Sequence, residues 1–204
     1  MGAMTKQQLA KCHGCIQKTR PAHPQRISEA FYVHAKEAPG DEICVDFCGP
    51  FPTTEQGFKY VLVIIDSFSR YVMYRRMMSK THLELVRTLW ADWICPFGRP
   101  KGLRSDNELH SDMMDELCTS LHIVHRRGPP HQPTANSQAE RAFGSLKTLL
   151  RATARGLHPY HWNLFLPSIA HALNFTVSST THVTPHRLFL GREASHPLQD
   201  PVVI

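Results

Sequence analysis

The feature that most constrains the fold is a run of three short apolar segments with no helical pattern between them. Ile43–Phe47 is a predicted buried strand, Lys59–Asp66 is a second one rich in β-branched residues, and Arg70–Met77 is a third. Gly49-Pro50 stops the first strand, and Ser67-Phe-Ser69 is short enough to join the other two as a hairpin. These segments are therefore predicted to be the first three strands of one sheet.

A helix is predicted after the third strand. Thr81-His-Leu-Glu84 fits a capping box, and Gly98-Arg-Pro100 ends the helix. Between these signals, apolar residues recur at helical spacing, which predicts that one side of the helix faces the core. The residues predicted to form that side are Leu83, Val86, Leu89, Trp90, Trp93, Ile94 and Phe97.

Strand and helix patterns alternate in the rest of the chain. The remaining predicted elements are a strand over Gly102–Asp106, a short helix over Ser111–Leu121, a strand over Ile123–Arg126, a long helix from Ser137 to about Arg155 and a further helix from His161 to about Phe175. The order β-β-β-α-β-α-β-α-α favours one sheet with helices on its faces. The predicted fold class is α/β, with a five-stranded mixed sheet flanked by helices.

The composition is that of a soluble globular domain with a basic balance. The 204 residues suffice for one ordinary core plus an appendage, and the net charge of +6 favours a polyanionic partner, although many basic proteins bind none. The longest apolar stretch, Tyr60–Ile65, is strand-sized, and no secretory leader is visible. An intracellular protein without a membrane partner is expected.

Three acidic residues occupy positions where their chemistry matters. Asp46 lies inside an apolar strand, Asp106 closes a strand, and Glu140 lies near the start of the long helix. Mg²⁺ prefers oxygen ligands and keeps several waters, so a few carboxylates suffice to hold it. Each residue also has a structural alternative: a buried ion pair for Asp46, a turn or helix cap for Asp106, and a capping box with Ser137 for Glu140.

Other carboxylates are interpreted as structural. Asp66 ends a β-branched strand as well, but a hairpin turn follows at once, so it is interpreted as a turn residue. The acidic residues close to Asp106 are interpreted as the solvated side of the short helix: Glu108, Asp112, Asp115 and Glu116.

The long helix carries two stripes. The predicted core stripe contains Ala139, Ala142, Phe143, Leu146, Leu149, Leu150 and Thr153. The stripe beside it contains Glu140, Gly144, Lys147, Arg151 and Arg155. A phosphate backbone running along that second stripe fits its cations, and the alternative is a solvated basic face.

Four ordered segments resemble the integrases of retroviruses and long-terminal-repeat retrotransposons, Ty3/gypsy-like elements in particular. They are the Ile43–Phe47 strand with Asp46, Val63–Tyr71, Leu103–Asn107 and His131–Arg141. Thr184–Arg192 resembles the segment that closes the catalytic core in that group. The match runs from about Glu42 to Arg192, which is most of the chain.

This resemblance implies a ribonuclease H-like fold in which Asp46, Asp106 and Glu140 are catalytic and hold Mg²⁺ or Mn²⁺, with two ions expected. It implies processing of the 3′ ends of element DNA by water, and then strand transfer into target DNA. The implied partners are double-stranded DNA and further copies of the chain, as a homodimer or higher multimer with residues 80–97 and 159–175 as contact surfaces. The implied location is the nucleus, with a cytoplasmic pre-integration phase. The implied DNA contacts are Asn136, Gln138, Arg141, Lys147, Arg151 and Arg155.

The chain departs from the family pattern after Asp106. Between Asp106 and Glu140 lie 33 residues, slightly fewer than is usual in that family. The expected Gly-x-Glu-Phe run is missing, and Glu108 follows Asn107 directly. The shortening could alter the loop beside the second ligand and lower activity, but it removes no ligand.

A second departure concerns zinc. Cys12 and Cys15 match the cysteine half of the family's His-His-Cys-Cys module, whose two histidines have no counterpart upstream. Structural zinc usually takes four ligands. The segment is interpreted as a truncated zinc-binding module with free thiols, and Zn²⁺ is expected only in the full-length protein. The alternative is that His13, His23 or His34 completes a site.

The resulting domain prediction has three parts. Residues 1–40 contain a tag remnant (Met1–Met4), the truncated zinc-binding module and a linker. Residues 41–192 are the integrase catalytic core, and residues 193–204 are a tail toward an absent C-terminal domain. Activity of the isolated core in full integration is expected to be weak.

Three functional hypotheses stay open at this point. The first is a metal-dependent integrase core, and the second is another enzyme with the same carboxylates, either a DDE transposase or a ribonuclease H. The run from Asn136 to Arg141 argues against ribonuclease H. The third is a domesticated derivative that binds DNA or protein without catalysis. Intact carboxylates argue against this third hypothesis, and the shortened loop argues for it.

Overall fold

The computed structural model describes residues 38–106, 109, 111–127, 137–153, 159–179 and 181–193. Predictions for Cys12 and Cys15, for Glu108, Asn136 and Arg155, and for the tail beyond Glu193 lie outside the described residues. The strands are β1 (Glu42–Cys48), β2 (Tyr60–Asp66), β3 (Val72–Met77), β4 (Gly102–Ser105) and β5 (Val124–Arg127).

The strands form one sheet in the order β3-β2-β1-β4-β5. β1, β2 and β3 pair in antiparallel fashion, whereas β4 pairs in parallel with both β1 and β5. Parallel neighbours need a crossover connection, and the helical segments between β3, β4 and β5 provide it. The predicted five-stranded mixed sheet is confirmed.

Helices follow β3 in the order that the sequence predicts, with one addition. α1 (His82–Leu89) continues through a π-helical turn (Trp90–Ile94) into a last turn (Cys95–Phe97). The later helices are α2 (Asp112–Ser120), α3 (Ser137–Thr153), a 3₁₀ segment (Pro159–Phe165) leading into α4 (Leu166–Phe175), and α5 (Pro185–Leu190), which was not predicted. Among the described residues, no helix combines the length and apolarity that crossing a membrane requires.

The helices cover both faces of the sheet, because alternate residues of each strand point to opposite sides. Ile43 and Val45 of β1 pack with residues of α1 and α2 on one face, called here the α1 face. Cys48 of β1 and Val63 of β2 pack with residues of α3 and α4 on the other, called here the α3 face. The architecture is three layers with the sheet in the middle.

The predicted apolar side of α1 is partly wrong. Leu85, Leu89 and Trp93 are buried against the sheet, whereas Leu83 and Trp90 are exposed. Successive helical residues are rotated by about 100°, so Leu83 lies about 200° away from Leu85 and cannot share its face. Both sides of this helix carry large apolar residues, and periodicity alone selected the wrong one at these positions.

The predicted capping box at the start of α1 is also wrong in detail. The hydroxyl of Thr81 does not cap the helix. The carboxylate of Glu84 instead reaches past Thr81 and accepts hydrogen bonds from the backbone N–H groups of Met78 and Ser79, at 2.9 and 3.0 Å. Glu84 therefore fixes the turn that precedes the helix.

The outer edge of the sheet at β3 is covered by a side chain from α4. Asn174, which is buried, accepts a hydrogen bond from the N–H of Val72 and donates one to its carbonyl, both at 2.8 Å. An exposed strand edge is a template for unwanted pairing, and this contact occupies part of it.

Candidate active site

Asp46 and Asp106 lie side by side at the carboxyl ends of two parallel strands. In the pairing of β1 with β4, Val45 is the partner of Ser105, and the two aspartates are the next residues of each chain segment. Neighbouring strands lie about 4.8 Å apart, and partners in register point to the same face. The sequence places these carboxylates 60 positions apart, and the sheet brings them together.

Of the two aspartates, Asp46 lies on the α3 face. Asp46 is the register partner of Val63, which belongs to the core under α3. Asp46 is half-buried, and its Oδ1 accepts a hydrogen bond of 2.7 Å from the N–H of Phe47. Asp106 is exposed, and its carbonyl accepts a hydrogen bond from the N–H of Leu109 at 3.1 Å. One carboxylate is thus set into the sheet, and its neighbour faces solvent.

α3 is anchored on this face by apolar and polar contacts. Leu146 and Leu150 are buried in its core, as the predicted stripe requires. The hydroxyl of Tyr74 donates a hydrogen bond of 3.1 Å to the carbonyl of Ala142, and burial raises the pKa of Tyr74, which keeps its proton in place. The first turns of α3 are therefore held over β2 and β3.

Lys147 of α3 acts electrostatically on the end of β1. Burial raises the pKa of the Cys48 thiol, the ammonium of Lys147 opposes this rise, and the carboxylate of Asp46 adds to it. The charges of Lys147 and Asp46 therefore both act on Cys48, the last residue of β1. Glu140 belongs to the same helical stripe two turns earlier. Its backbone lies in the first turn of α3, and its side chain lies outside the described residues.

Two other buried carboxylates are committed to the fold. Asp66 is 0% exposed; Oδ1 accepts from the N–H of Gly40 at 2.8 Å, and Oδ2 accepts from the N–H and hydroxyl of Ser69, both at 2.6 Å. This is the predicted turn role, now with its partners. Glu42, at the opposite end of β1 from Asp46, contacts Arg126 at 2.7 Å and Arg104 at 3.1 Å. Each of these carboxylate oxygens lies within hydrogen-bond or ion-pair distance of a protein donor.

Asp115, interpreted as part of the solvated side of α2, is partly exposed at 37% of its side chain and also has a specific partner. Its Oδ1 lies 3.0 Å from Nδ1 of His125, and Nε2 of His125 lies 2.8 Å from the hydroxyl of Ser105. Asp112 and Glu116 are exposed, as predicted. Sequence reasoning missed His125 and Ser105, because residues on different elements share no local spacing; the position of Ser105 directly before Asp106 was the one available signal.

The donor set suits a hard divalent cation. Carboxylate oxygens are what Mg²⁺ prefers, and an exposed Asp106 leaves room for the waters that Mg²⁺ retains. Within the described residues, no group of three acidic, histidine or cysteine side chains is placed to hold a metal. The third predicted ligand, Glu140, is outside that search, so the complete triad stays a prediction.

The predicted DNA contacts are described in part. Arg141, Lys147 and Arg151 are exposed on α3. The side chain of Gln138 lies outside the described residues, together with Asn136 and Arg155. The exposed cations therefore extend along α3 from Arg141 to Arg151, over about three turns.

Comparisons with known proteins agree with this geometry. Residues 36–133 match the family model described as integrase core domain. The chain is 27% identical over 191 residues to the Pro-Pol polyprotein of feline foamy virus, covering 93% of this chain and 16% of the polyprotein. It is 31% identical over 139 residues to the Gag-Pol polyprotein of avian reticuloendotheliosis virus, covering 67% and 12%. The chain thus spans at most 16% of the length of these relatives.

Solved structures show the same fold. The HTLV-2 integrase catalytic core domain in complex with magnesium (trimeric form) superposes with a TM-score of 0.60 at 21% identity, covering 75% of this chain and 98% of that one. The simian T-cell lymphotropic virus intasome in complex with PP2A regulatory subunit B56 gamma gives 0.63 at 24%, covering 100% and 69%. The ribonuclease H-like fold is confirmed. The chain carries an integrase core domain of the retroviral and retrotransposon type.

Proposed function

We propose that this chain is the catalytic core of a DNA integrase, which processes the 3′ ends of element DNA and transfers them into target DNA. The observation that carries this proposal is the register of β1 with β4, in which Val45 pairs with Ser105 and Asp46 and Asp106 are the next residues of the two segments. Isolated carboxylates repel each other, and their juxtaposition on a sheet suits a site built for cations.

Each of the three carboxylates has its own proposed role in the site. Asp46 supplies a carboxylate held by the Phe47 N–H, Asp106 supplies an exposed one, and Glu140 is the third carboxylate from the first turn of α3. Divalent cations held by such carboxylates would activate an attacking oxygen and neutralise charge on the leaving oxygen. Mg²⁺ or Mn²⁺ fits this donor set.

The DNA backbone is proposed to run along the exposed side of α3. Lys147 and Arg151 are one turn apart and exposed, and the charges of Lys147 and Asp46 both act on Cys48 at the end of β1. Cations at this spacing neutralise phosphates and release counterions, which gives affinity without base recognition. Arg141 lies one position after Glu140 and would reach the same DNA from the first turns of the helix.

The chain is proposed to act as a homodimer or higher multimer, because two DNA ends must be joined together. The solved relatives include dimeric and trimeric forms of the HTLV-2 core. In this chain, Leu83 and Trp90 expose large apolar surfaces on α1 and the turn after it, and Tyr160 and Leu164 do so on the 3₁₀ segment. These surfaces lie in the two predicted contact regions.

Two further proposals concern the whole protein. Action on chromosomal DNA places it in the nucleus, after a cytoplasmic phase. Zn²⁺ is proposed to bind only in the full-length protein, where residues upstream of Cys12 and Cys15 complete the ligand set.

The test is DNA cleavage and joining by the 204-residue chain. Labelled duplexes carrying a pool of terminal sequences are incubated with a second duplex and Mg²⁺ or Mn²⁺, and joined products are separated by size. Asp106→Asn is expected to lower the joining rate at least about 100-fold, equivalent to roughly 2.7 kcal/mol. Asp112→Asn is the matched control, since Asp112 is a neighbouring exposed aspartate, and it should leave the rate unchanged.

The other functional classes appear as distinct outcomes. Cleavage of a labelled RNA–DNA hybrid, without joining of DNA, would point to a ribonuclease H. Tight DNA binding with equally inert wild type and Asp106→Asn, in a full-length assembly, would point to a domesticated binding protein.

A further inference from the structure

Three side chains connected by hydrogen bonds, two of them buried, lead to the residue directly before Asp106. Ser105 is 0% exposed and is the last residue of β4. Its hydroxyl lies 2.8 Å from Nε2 of His125 on β5, and Nδ1 of His125 lies 3.0 Å from Oδ1 of Asp115 on α2. The His125 side chain is only 7% exposed. The chain joins three elements over a short distance.

The direction of these hydrogen bonds follows from the chemistry of the groups. An ionised Asp115 carboxylate can only accept, so Nδ1 of His125 carries the hydrogen and donates it. In a neutral imidazole, Nε2 then has a lone pair and accepts the hydroxyl hydrogen of Ser105. The orientation of the Ser105 side chain is therefore set from α2, ten residues further along the chain.

This order of Ser, His and Asp is also that of hydrolytic triads, but Ser105 cannot serve as a nucleophile. A nucleophile must reach substrate, and the hydroxyl of Ser105 lies fully buried on the α1 face, opposite the face on which Asp46 lies. Asp115 does point toward solvent in part, at 37% side-chain exposure. These three side chains are therefore interpreted as holding the neighbouring backbone in place.

The neighbouring backbone is the connection that begins at Asp106. The carbonyl of Asp106 accepts from the N–H of Leu109, which is buried, and the hydroxyl of Ser111 accepts from the N–H of Met114 at the start of α2. These two contacts lie at the two ends of the connection from β4 to α2. Ser105 holds its first end, and Asp115 in the first turn of α2 holds its second.

We infer that Ser105, His125 and Asp115 are positioning residues that hold Asp106 in place as a metal ligand across this shortened connection. The inference rests on the proposed function for the role of Asp106. Groups that orient metal ligands through hydrogen bonds typically contribute 10- to 100-fold in metal affinity or activity. Here the orienting contact acts one residue before the ligand, through the strand end.

The test compares two aspartates in the same turn of α2. Asp115→Ala and Asp112→Ala each remove one carboxylate near the start of α2, so their effects on net charge and on the helix dipole are alike. Of these two aspartates, Asp115 is the one whose carboxylate contacts His125. Asp115→Asn keeps an oxygen that accepts from Nδ1 of His125 and is the conservative variant.

The first measurement needs no metal and no activity. Amide hydrogen exchange at Leu109, whose N–H bonds to Asp106, is followed in the 204-residue chain. Asp115→Ala is expected to accelerate this exchange about tenfold, as loss of a typical buried hydrogen bond would. Asp112→Ala should leave it unchanged, and Asp115→Asn should restore most of the protection.

The second measurement is binding of Mn²⁺ alone, by calorimetry. Asp115→Ala is expected to weaken it about 10-fold or more, with Asp112→Ala unchanged. Equal behaviour of Asp115→Ala and Asp112→Ala in the exchange measurement would overturn the inference. A wild-type chain that binds no Mn²⁺, but whose Leu109 amide still responds to Asp115→Ala alone, would confirm the positioning contact and refute the proposed function. Ser105→Ala removes the hydroxyl that contacts His125. It must reproduce the effects of Asp115→Ala in both measurements.

Discussion

Asp66 is a carboxylate that stabilises the fold, in contrast to the carboxylates proposed to bind metal. It is fully buried and accepts three hydrogen bonds, from the Gly40 N–H and from the Ser69 N–H and hydroxyl. Asp66→Asn keeps the shape but replaces one acceptor oxygen by an NH₂ group that faces a donor. Loss of one hydrogen bond to a charged group costs about 1.5–3 kcal/mol, and the unpaired donors add to this, giving about 3 kcal/mol in the free energy of unfolding.

Thermal unfolding followed by circular dichroism measures this effect. For a domain of this size, about 3 kcal/mol corresponds to a fall in Tm of roughly 6–12 °C. Asp106→Asn is the matched control, because a substitution at an exposed site usually changes stability by less than about 0.5 kcal/mol. A fall of less than about 2 °C for Asp66→Asn, together with weaker Mn²⁺ binding, would refute the reasoning and make Asp66 a ligand.

Three further predictions follow from exposed and buried contacts. Trp90→Glu should shift the chain from dimer to monomer in light scattering, because it places a charge in a proposed apolar interface, and an unchanged mass would count against that interface. The double variant Lys147→Ala/Arg151→Ala should weaken DNA binding similarly for all sequences and lower the slope of log K against log salt by about 2, since each phosphate contact contributes about 0.9; an unchanged slope would mean that DNA runs elsewhere. Asn174→Leu should destabilise the fold by about 2–4 kcal/mol in urea unfolding, because it leaves the N–H and carbonyl of Val72 unpaired; a cost below about 0.5 kcal/mol would contradict the edge contact.

The strands were predictable because their patterns are local. Gly49 and Pro50 stop β1 as predicted, and Gly49 has φ of +134° with the Lys59 carbonyl 2.8 Å from where a Cβ would lie, so only glycine fits there. Asp66 and the serine turn after it gave the β2–β3 hairpin. In each case neighbouring residues carry the whole signal.

Helix faces were less predictable where both sides of a helix are apolar. On α1, Leu85 is buried and Leu83 is exposed, and the choice depends on how the helix is rotated against the sheet. α5 was missed because it has only six residues, although Thr184 caps it by accepting from the Arg187 N–H at 3.1 Å. Its Phe189 stacks on Tyr71 with ring centroids 4.7 Å apart. These two residues are far apart in the sequence, so no local pattern predicts their contact.

The family resemblance predicts Asp46 and Asp106 as metal ligands, which stays a prediction. The pairing of β1 with β4, which no local pattern specifies, sets Val45 and Ser105, the residues directly before them, in register. The chain from Ser105 through His125 to Asp115 is a stronger case, since its members lie on two strands and a helix. Hydrogen bonds between secondary-structure elements depend on how the elements pack. A single sequence therefore does not show which residues will be partners.

The most direct test of the proposed chemistry is a crystal of the 204-residue chain soaked with Mn²⁺ and measured for anomalous scattering. If Asp46, Asp106 and Glu140 form one metal site, anomalous density will lie between their carboxylates and disappear in the Asp106→Asn variant. Density at Asp66 or elsewhere, or a Glu140 side chain directed away from Asp46 and Asp106 in Mn²⁺-saturated crystals, would contradict the proposal.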